Sequence, residues 1–189
     1  MTTPSISEPS HSPTLERISL GDDDFTILGV PRRYAQDLAA LDRQWRLLQS
    51  QVHPDRHVSA DAAVQRLSTQ WSVRLNEAYQ RLRDPLRRAA YLCELNDAPV
   101  QAESHTAMPS AFLQQQWAWR EALEESRTPT QVQALQDEVS GVERELLHRV
   151  EQELDVLHDH TSAVQTVRCL LFLDRFMQDV DRRFDDLSP

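Results

Sequence analysis

The sequence predicts an all-α protein, and three observations carry that prediction. Only three glycines, Gly21, Gly29 and Gly141, occur in 189 residues, which leaves little turn chemistry for β-hairpins. Leu, Ala, Gln, Glu and Arg dominate the chain, and all are good helix formers. Apolar residues recur at alternating spacings of 3 and 4 in one segment after another, the signature of a helical face.

Residues 1–22, with Pro4, Pro9 and Pro13 among Ser and Thr, read as a disordered tail. Folded structure is expected from about Asp24, where Phe25, Ile27, Leu28 and Val30 form an apolar knot before Pro31. A helix from about Ala35 to Val52 follows, with Leu38, Leu41, Trp45, Leu48 and Val52 on one stripe. Pro54 ends it, because proline supplies no N–H and restricts the residue before it. The loop from His53 to about Ser59 is short enough to make the flanking helices antiparallel neighbours. The next helix, Asp61 to Arg83, carries Leu67, Trp71, Leu75, Ala78 and Leu82, and Pro85 suits the first turn of a short helix ending near Leu95. A first domain over 23–97 and a linker over 98–109, broken by Pro99 and Pro109, are expected.

Three further helices make a second domain over 110–189. The first starts after Ser110 and ends near Arg127. The second runs from about Thr130 to His158, with Val132, Leu135, Val139, Val142, Leu146, Val150, Leu154 and Leu157 on its stripe. At about 1.5 Å per residue it would be roughly 40 Å long, too long for the short helices before it to cover. The last, from about Ser162 to Asp185, turns Leu170, Leu173, Met177, Val180 and Phe184 inward. Three mutually packed helices form a self-contained bundle.

Charge divides the chain in the same place. Residues 23–97 hold eleven Arg against ten acids, and residues 98–189 hold eight Arg against seventeen acids. So acidic a C-terminal half argues against nucleic acid, whose phosphates need a basic footprint. All twenty basic residues are arginine, which excludes lysine chemistry such as a Schiff base or a P-loop. No stretch approaches the roughly 18–20 apolar residues of a membrane span, and the N-terminus lacks the basic start and apolar core of a secretory signal. A cytoplasmic protein without membrane attachment is expected. Cys93 and Cys169 lie inside apolar helical runs and read as buried thiols of a reducing compartment.

His53-Pro54-Asp55 falls where one amphipathic helix closes and the loop to the next opens. Arg43, Arg46, Ser50 and His53 follow at spacings of 3, 4 and 3, nearly opposite the apolar stripe. Two cations and the tripeptide therefore share one solvent-facing surface. Helix, His-Pro-Asp loop, helix and the run Asn76-Glu77-Ala78-Tyr79-x-x-Leu82-x-Asp84-Pro85 resemble a J domain, the module that switches DnaK-type ATPase chaperones. The resemblance implies that His53, Pro54 and Asp55 form the trigger, Arg43, Arg46 and Arg56 the docking charges, and Asn76 a support on the facing helix. Val52 stands where many relatives have an aromatic residue, and Arg56 where many have Lys. Metal is not expected at His53 and His57, which Pro54 keeps from helical alignment, nor at His158 and His160. No nucleophile motif or substrate-cradling loop accompanies these groups, so no enzymatic activity and no cofactor are expected.

On the helix after Ser110, Phe112, Trp119 and Leu123 fall within about 40° of one another at about 100° per residue. Leu113 and Trp117 then point roughly 100–140° away, beside Gln114 and Glu121, and Phe172 lies off the inward stripe of the last helix. Exposed Leu, Trp and Phe on a small bundle suggest a partner surface, the alternative being that a wide core or the first domain covers them. Arg87-Arg88-Ala89-Ala90-Tyr91-Leu92, Ala111-Phe112-Leu113 with Trp119-Arg120-Glu121, and Val167-Arg168-x-Leu170-x-Phe172-Leu173-Asp174 are similar to the HscB family of J-domain co-chaperones in iron–sulfur cluster biogenesis, over residues 23–186. That resemblance implies a C-terminal domain that binds the scaffold protein IscU at Leu113, Gln114, Trp117, Glu121 and Phe172. It also implies delivery of the scaffold to a DnaK-type chaperone, HscA, whose ATPase is stimulated. Gln114 and Ala118 replace an apolar and an acidic residue common in relatives, and Trp117 is bulkier than the usual Leu. The alternative expectation is a co-chaperone of a general DnaK with a different client.

Overall fold

The computed structural model describes residues 18–53, 61–100 and 108–188, and all regular structure among them is helical. Seven α-helices follow in order, and packing groups the described chain into two units. The first holds 18–32 and 36–84; the second holds 33–35 and everything from Pro85.

In the first unit, α1 spans Asp24–Leu28, α2 spans Leu38–Val52 and α3 spans Ala62–Arg83. Each starts on an aspartate whose side chain accepts N–H groups of the first turn, which would otherwise lack partners. Asp37 does this for Ala39 and Ala40 at 2.9 and 3.1 Å, so α2 begins at Leu38 rather than Ala35. Helix α1 ends at Gly29 with φ 63°, a left-handed turn in which Val30 N–H donates to Phe25 O at 3.0 Å. That closure buries Phe25, Ile27 and Leu28 completely.

Asp24 is fully buried, with Arg74 Nη2 at 2.6 Å and Arg81 Nη1 at 2.8 Å from its carboxylate. Arg74 also donates to the carbonyls of Leu20 and Asp22, fastening the entry strand of chain to α3. Helices α2 and α3 run antiparallel, Asp42 meeting Tyr79 at one end and Val52 meeting Ser68 at the other. Two stripe residues fall outside the core: Leu38 is 47% exposed and Leu67 49%. Both stand in the opening turns of their helices, and the buried contact at that end of α3 is Ser68, whose hydroxyl donates to Val52 O.

The second unit contains α4 Pro85–Leu95, α5 Ser110–Glu125, α6 Pro129–Glu151 and α7 His160–Leu187. The sequence assigns α4 to the first domain, whereas its packing is against α7 and α6. Its buried face of Ala89, Leu92 and Cys93 explains that placement. The C-terminal bundle thus gains a fourth helix. Helix α4 stops without a glycine: Asp97 takes φ 56°, and Asn96 Nδ2 donates to Leu92 O at 2.6 Å. Helix α6 opens with a full capping box, in which Thr128 and Gln131 exchange hydrogen bonds around Pro129.

The expected helix to His158 changes character at its end. Gln152–Val156 form a π-helical turn, with Leu157 N–H donating to Gln152 O at 2.9 Å. The wider turn rotates later residues off the stripe, so Leu154 is buried but Leu157 is 67% exposed. Within the same turn Glu153 is buried, and Asp155 accepts the backbone N–H groups of Tyr34 and Ala35 at 2.7 and 2.8 Å. Arg88 lies 4.9 Å over the Tyr34 ring. On α7 the buried face includes Phe176 beside Leu170, Leu173 and Val180, whereas Met177 and Phe184 are half-buried.

Candidate functional site

Two surfaces hold the residues singled out in the sequence. On the first unit, His53 caps the C-terminus of α2 and is exposed. Pro54, Asp55 and Arg56 lie outside the described residues. Arg43 and Arg46 are exposed on α2, Arg43 with its guanidinium 3.8 Å from Asp37. Asn76 stands opposite on α3. Its side-chain oxygen accepts from Trp45 Nε1 at 3.0 Å and from Gln49 Nε2 at 2.6 Å. Asn76 therefore ties the arginine-bearing helix to its partner at two points.

Trp45 stacks on Tyr79 at 4.6 Å between centroids, and the Tyr79 hydroxyl donates to Asp42 at 2.7 Å. That hydrogen bond, with burial behind it, holds the Tyr79 phenol above its ordinary pKa. Trp45, Gln49, Asn76 and Tyr79 make a polar and aromatic seam that keeps the Arg43–Arg46 face in a fixed orientation. The sequence placed Trp45 in the core stripe; the structure gives it a second task as a donor to Asn76.

The second surface lies on α5 and α7. Trp117 is 77% exposed, more than any other large hydrophobic residue among those described. Gln114 and Glu121 are exposed beside it, and Leu113, one turn earlier, is half-buried. Phe172 is half-buried rather than free. Its ring meets Phe112 edge-on at 5.9 Å and stacks on Phe176 at 5.9 Å, with the Arg120 guanidinium 5.6 Å above it. Trp119 completes the cluster, 6.0 Å from Phe112 and 6.2 Å from Phe176, and donates its indole N–H to Glu138 at 2.7 Å.

Arg120 and Phe176 belong to this arrangement and were missed in the sequence. Both stood at readable spacings, Arg120 three residues after Trp117 and Phe176 four after Phe172. An apolar platform of Leu113, Trp117 and Phe172, with Arg120 and Glu121 at its rim, is suited to packing against another protein.

Other chemistry is sparse. Among the described residues, no group of three or more His, Cys, Asp or Glu side chains could hold a metal ion. Cys93 and Cys169 are free and buried, and burial pushes both thiols up to about 11, away from reactive thiolate. No helix among the described residues is long and apolar enough to cross a membrane.

Residues 108–181 match the family model of the HSCB C-terminal oligomerisation domain. A co-chaperone protein HscB homolog of Bordetella petrii is 46% identical over 160 residues, covering 84% of this chain and 94% of the relative. The chain belongs to the HscB co-chaperone family. A homolog of the same description from Ralstonia nicotianae is 40% identical over 174 residues, 90% of this chain and 98% of its own. Among solved structures, chaperone HscB from Vibrio cholerae superposes with a TM-score of 0.77 at 28% identity, covering 88% of this chain and 100% of that one. The human co-chaperone HscB superposes with a TM-score of 0.83 over 96% of this chain and 94% of its own; at 19% identity it speaks for the fold alone. An N-terminal J domain followed by a C-terminal helical domain is thus the architecture of the chain.

Proposed function

We propose that this protein is a cytoplasmic co-chaperone of iron–sulfur cluster transfer that brings an IscU-type scaffold protein to a DnaK-type chaperone of the HscA kind. It works by switching its partner's ATPase and carries no catalytic group of its own. Membership of the HscB family supports this reading, and one observation carries it to the site. In a family of co-chaperones, Trp117 stands 77% exposed on a face backed by an aromatic cluster. Such a side chain costs solubility unless a partner covers it. Leu113, Gln114, Trp117, Glu121 and Phe172 would meet the scaffold.

The other end of the mechanism is the J domain. Arg43, Arg46 and Arg56 would dock on an acidic surface of the chaperone, and the Asp55 carboxylate would make a charge-assisted bond in one chaperone conformation only. A contact present in one of two states shifts the balance between them. By the family resemblance His53 and Pro54 would form the trigger together with Asp55, and Asn76 steadies the helix that carries the arginines.

The test is ATP hydrolysis by the cognate HscA-type chaperone, with and without the scaffold. Synergy between scaffold and wild-type protein is expected, and Asp55→Ala should abolish stimulation while leaving scaffold binding intact. Stimulation that ignores the scaffold would favour a general DnaK co-chaperone with another client. Full stimulation by Asp55→Ala would sink the trigger.

A further inference from the structure

We propose that Glu138 is a positioning residue for the α5–α7 face, setting the direction of Trp117 through the buried Trp119; the inference rests on the scaffold-binding reading above. Trp117 and Trp119 are two residues apart, so at about 100° per residue they stand roughly 160° apart around α5. Whatever fixes Trp119 in the core also aims Trp117 into solvent.

The ring contacts of Trp119 with Phe112 and Phe176 are apolar. They resist separation but tolerate a slide or a small rotation. The directional contact is the indole N–H donated to Glu138 on α6 at 2.7 Å. Trp119 is 2% exposed, and a buried indole N–H requires an acceptor. Glu138 is itself an exposed residue whose carboxylate reaches in to supply one.

Elsewhere on α5 the contacts that bear on its rotation are the Phe112 ring and the Arg120 guanidinium against Phe172, neither of them a directional hydrogen bond. Its N-terminus at Pro109 has no side-chain cap. At its C-terminus Arg183 Nη2 donates to the Ser126 carbonyl at 2.7 Å. A bond to a backbone carbonyl near the helix axis fixes where the end lies rather than how the helix is turned. Phe172 depends on the same anchor, because Phe112 and Phe176 lie between it and Trp119. Glu138 sits on the side of α5 away from Trp117, so it would tune the platform without touching the partner.

Calorimetric affinity for the IscU-type scaffold, measured for wild type, Glu138→Ala, Glu138→Gln, Trp117→Ala and Val150→Ala, tests this. Glu138→Ala is expected to weaken binding by about tenfold, a modest fraction of a full hot-spot loss. Glu138→Gln removes the charge but keeps an acceptor oxygen, so affinity should return to within about twofold of wild type. Val150→Ala opens a cavity farther along α6 and should lower thermal stability at least as much, yet leave affinity unchanged. In ¹⁵N spectra the Trp119 indole N–H should shift in Glu138→Ala and stay near its wild-type position in Glu138→Gln.

Wild-type affinity in Glu138→Ala, with Trp117→Ala weakened, overturns the positioning role alone. Weakening by Val150→Ala equal to that of Glu138→Ala also overturns it, because general loosening would then suffice. Wild-type affinity in Trp117→Ala overturns the scaffold-binding reading and this proposal with it.

Discussion

Truncating Trp117 to alanine separates a partner surface from a packing residue, because the structure sets opposite expectations for affinity and stability. A tryptophan side chain offers up to about 250 Å². At 77% exposure, about 190 Å² of that is available to a partner. A partner covering half to all of this area would gain about 2–5 kcal/mol at about 25 cal/mol/Å². Alanine keeps the Cβ, and covering is rarely complete, so a loss of about 2–4 kcal/mol is expected, or roughly 30- to 1000-fold in affinity. The folded chain should scarcely notice, since exposed substitutions stay within about 0.5 kcal/mol. Isothermal calorimetry against the scaffold and a thermal melt of the free protein read the two quantities. Affinity within about twofold of wild type, or a melting temperature lower by more than about 5 °C, would refute the reasoning.

Three other outcomes are expected. Asp24→Ala deprives Arg74 and Arg81 of their shared carboxylate. With Arg74 largely buried the cost should be about 3 kcal/mol, reduced by the exposure of Arg81, and seen as faster hydrogen exchange in α1 and α3 but not in α6 or α7. Glu153 is held above its ordinary pKa of 4.5, first by burial. It therefore binds its proton more tightly folded than unfolded, and its contribution to stability falls as pH rises from about 4.5 through the raised value. Glu153→Gln should melt higher than wild type at pH 7, with the gap closing on acidification; a variant less stable at pH 7 would contradict this. Reversing Arg43 and Arg46 to Glu should abolish stimulation of the chaperone ATPase without altering scaffold affinity, and rising salt should weaken wild-type stimulation.

Most of the architecture was legible because α-helices write their faces at one fixed period. The antiparallel α2–α3 hairpin followed from two stripes and a short proline-broken loop. The start of α2 did not, because Ala35 and Gln36 fit the period as well as Leu38 does, and only the Asp37 cap decides. The sequence alone gives α7 a narrow inward stripe through Met177. The helix instead packs against α4, α5, α6 and the π-helical turn, a broad contact that draws in Phe176, about 100° from Met177. Placing α4 needed the same tertiary information. At the candidate site, Trp117 declared itself by standing across the helix from Trp119. Glu138 could not, since its partner is 19 residues away on another helix and no repeat connects the two.

The π-helical turn at Gln152–Val156 inserts one residue more than an α-helix would use, and so acts as a phase shifter. Upstream, the register is kept by Leu146 and Val150; downstream, it restarts with Asp159 capping α7. Between them the added residue sends Glu153 inward and Asp155 toward the amides of Tyr34 and Ala35. Deleting a single residue there, even the exposed Val156, would return the segment to α-helical phase and cost both placements at once. Chimeras between relatives should therefore be joined outside 152–156, and alignments across it should admit a one-residue gap instead of forcing Leu157 onto the stripe.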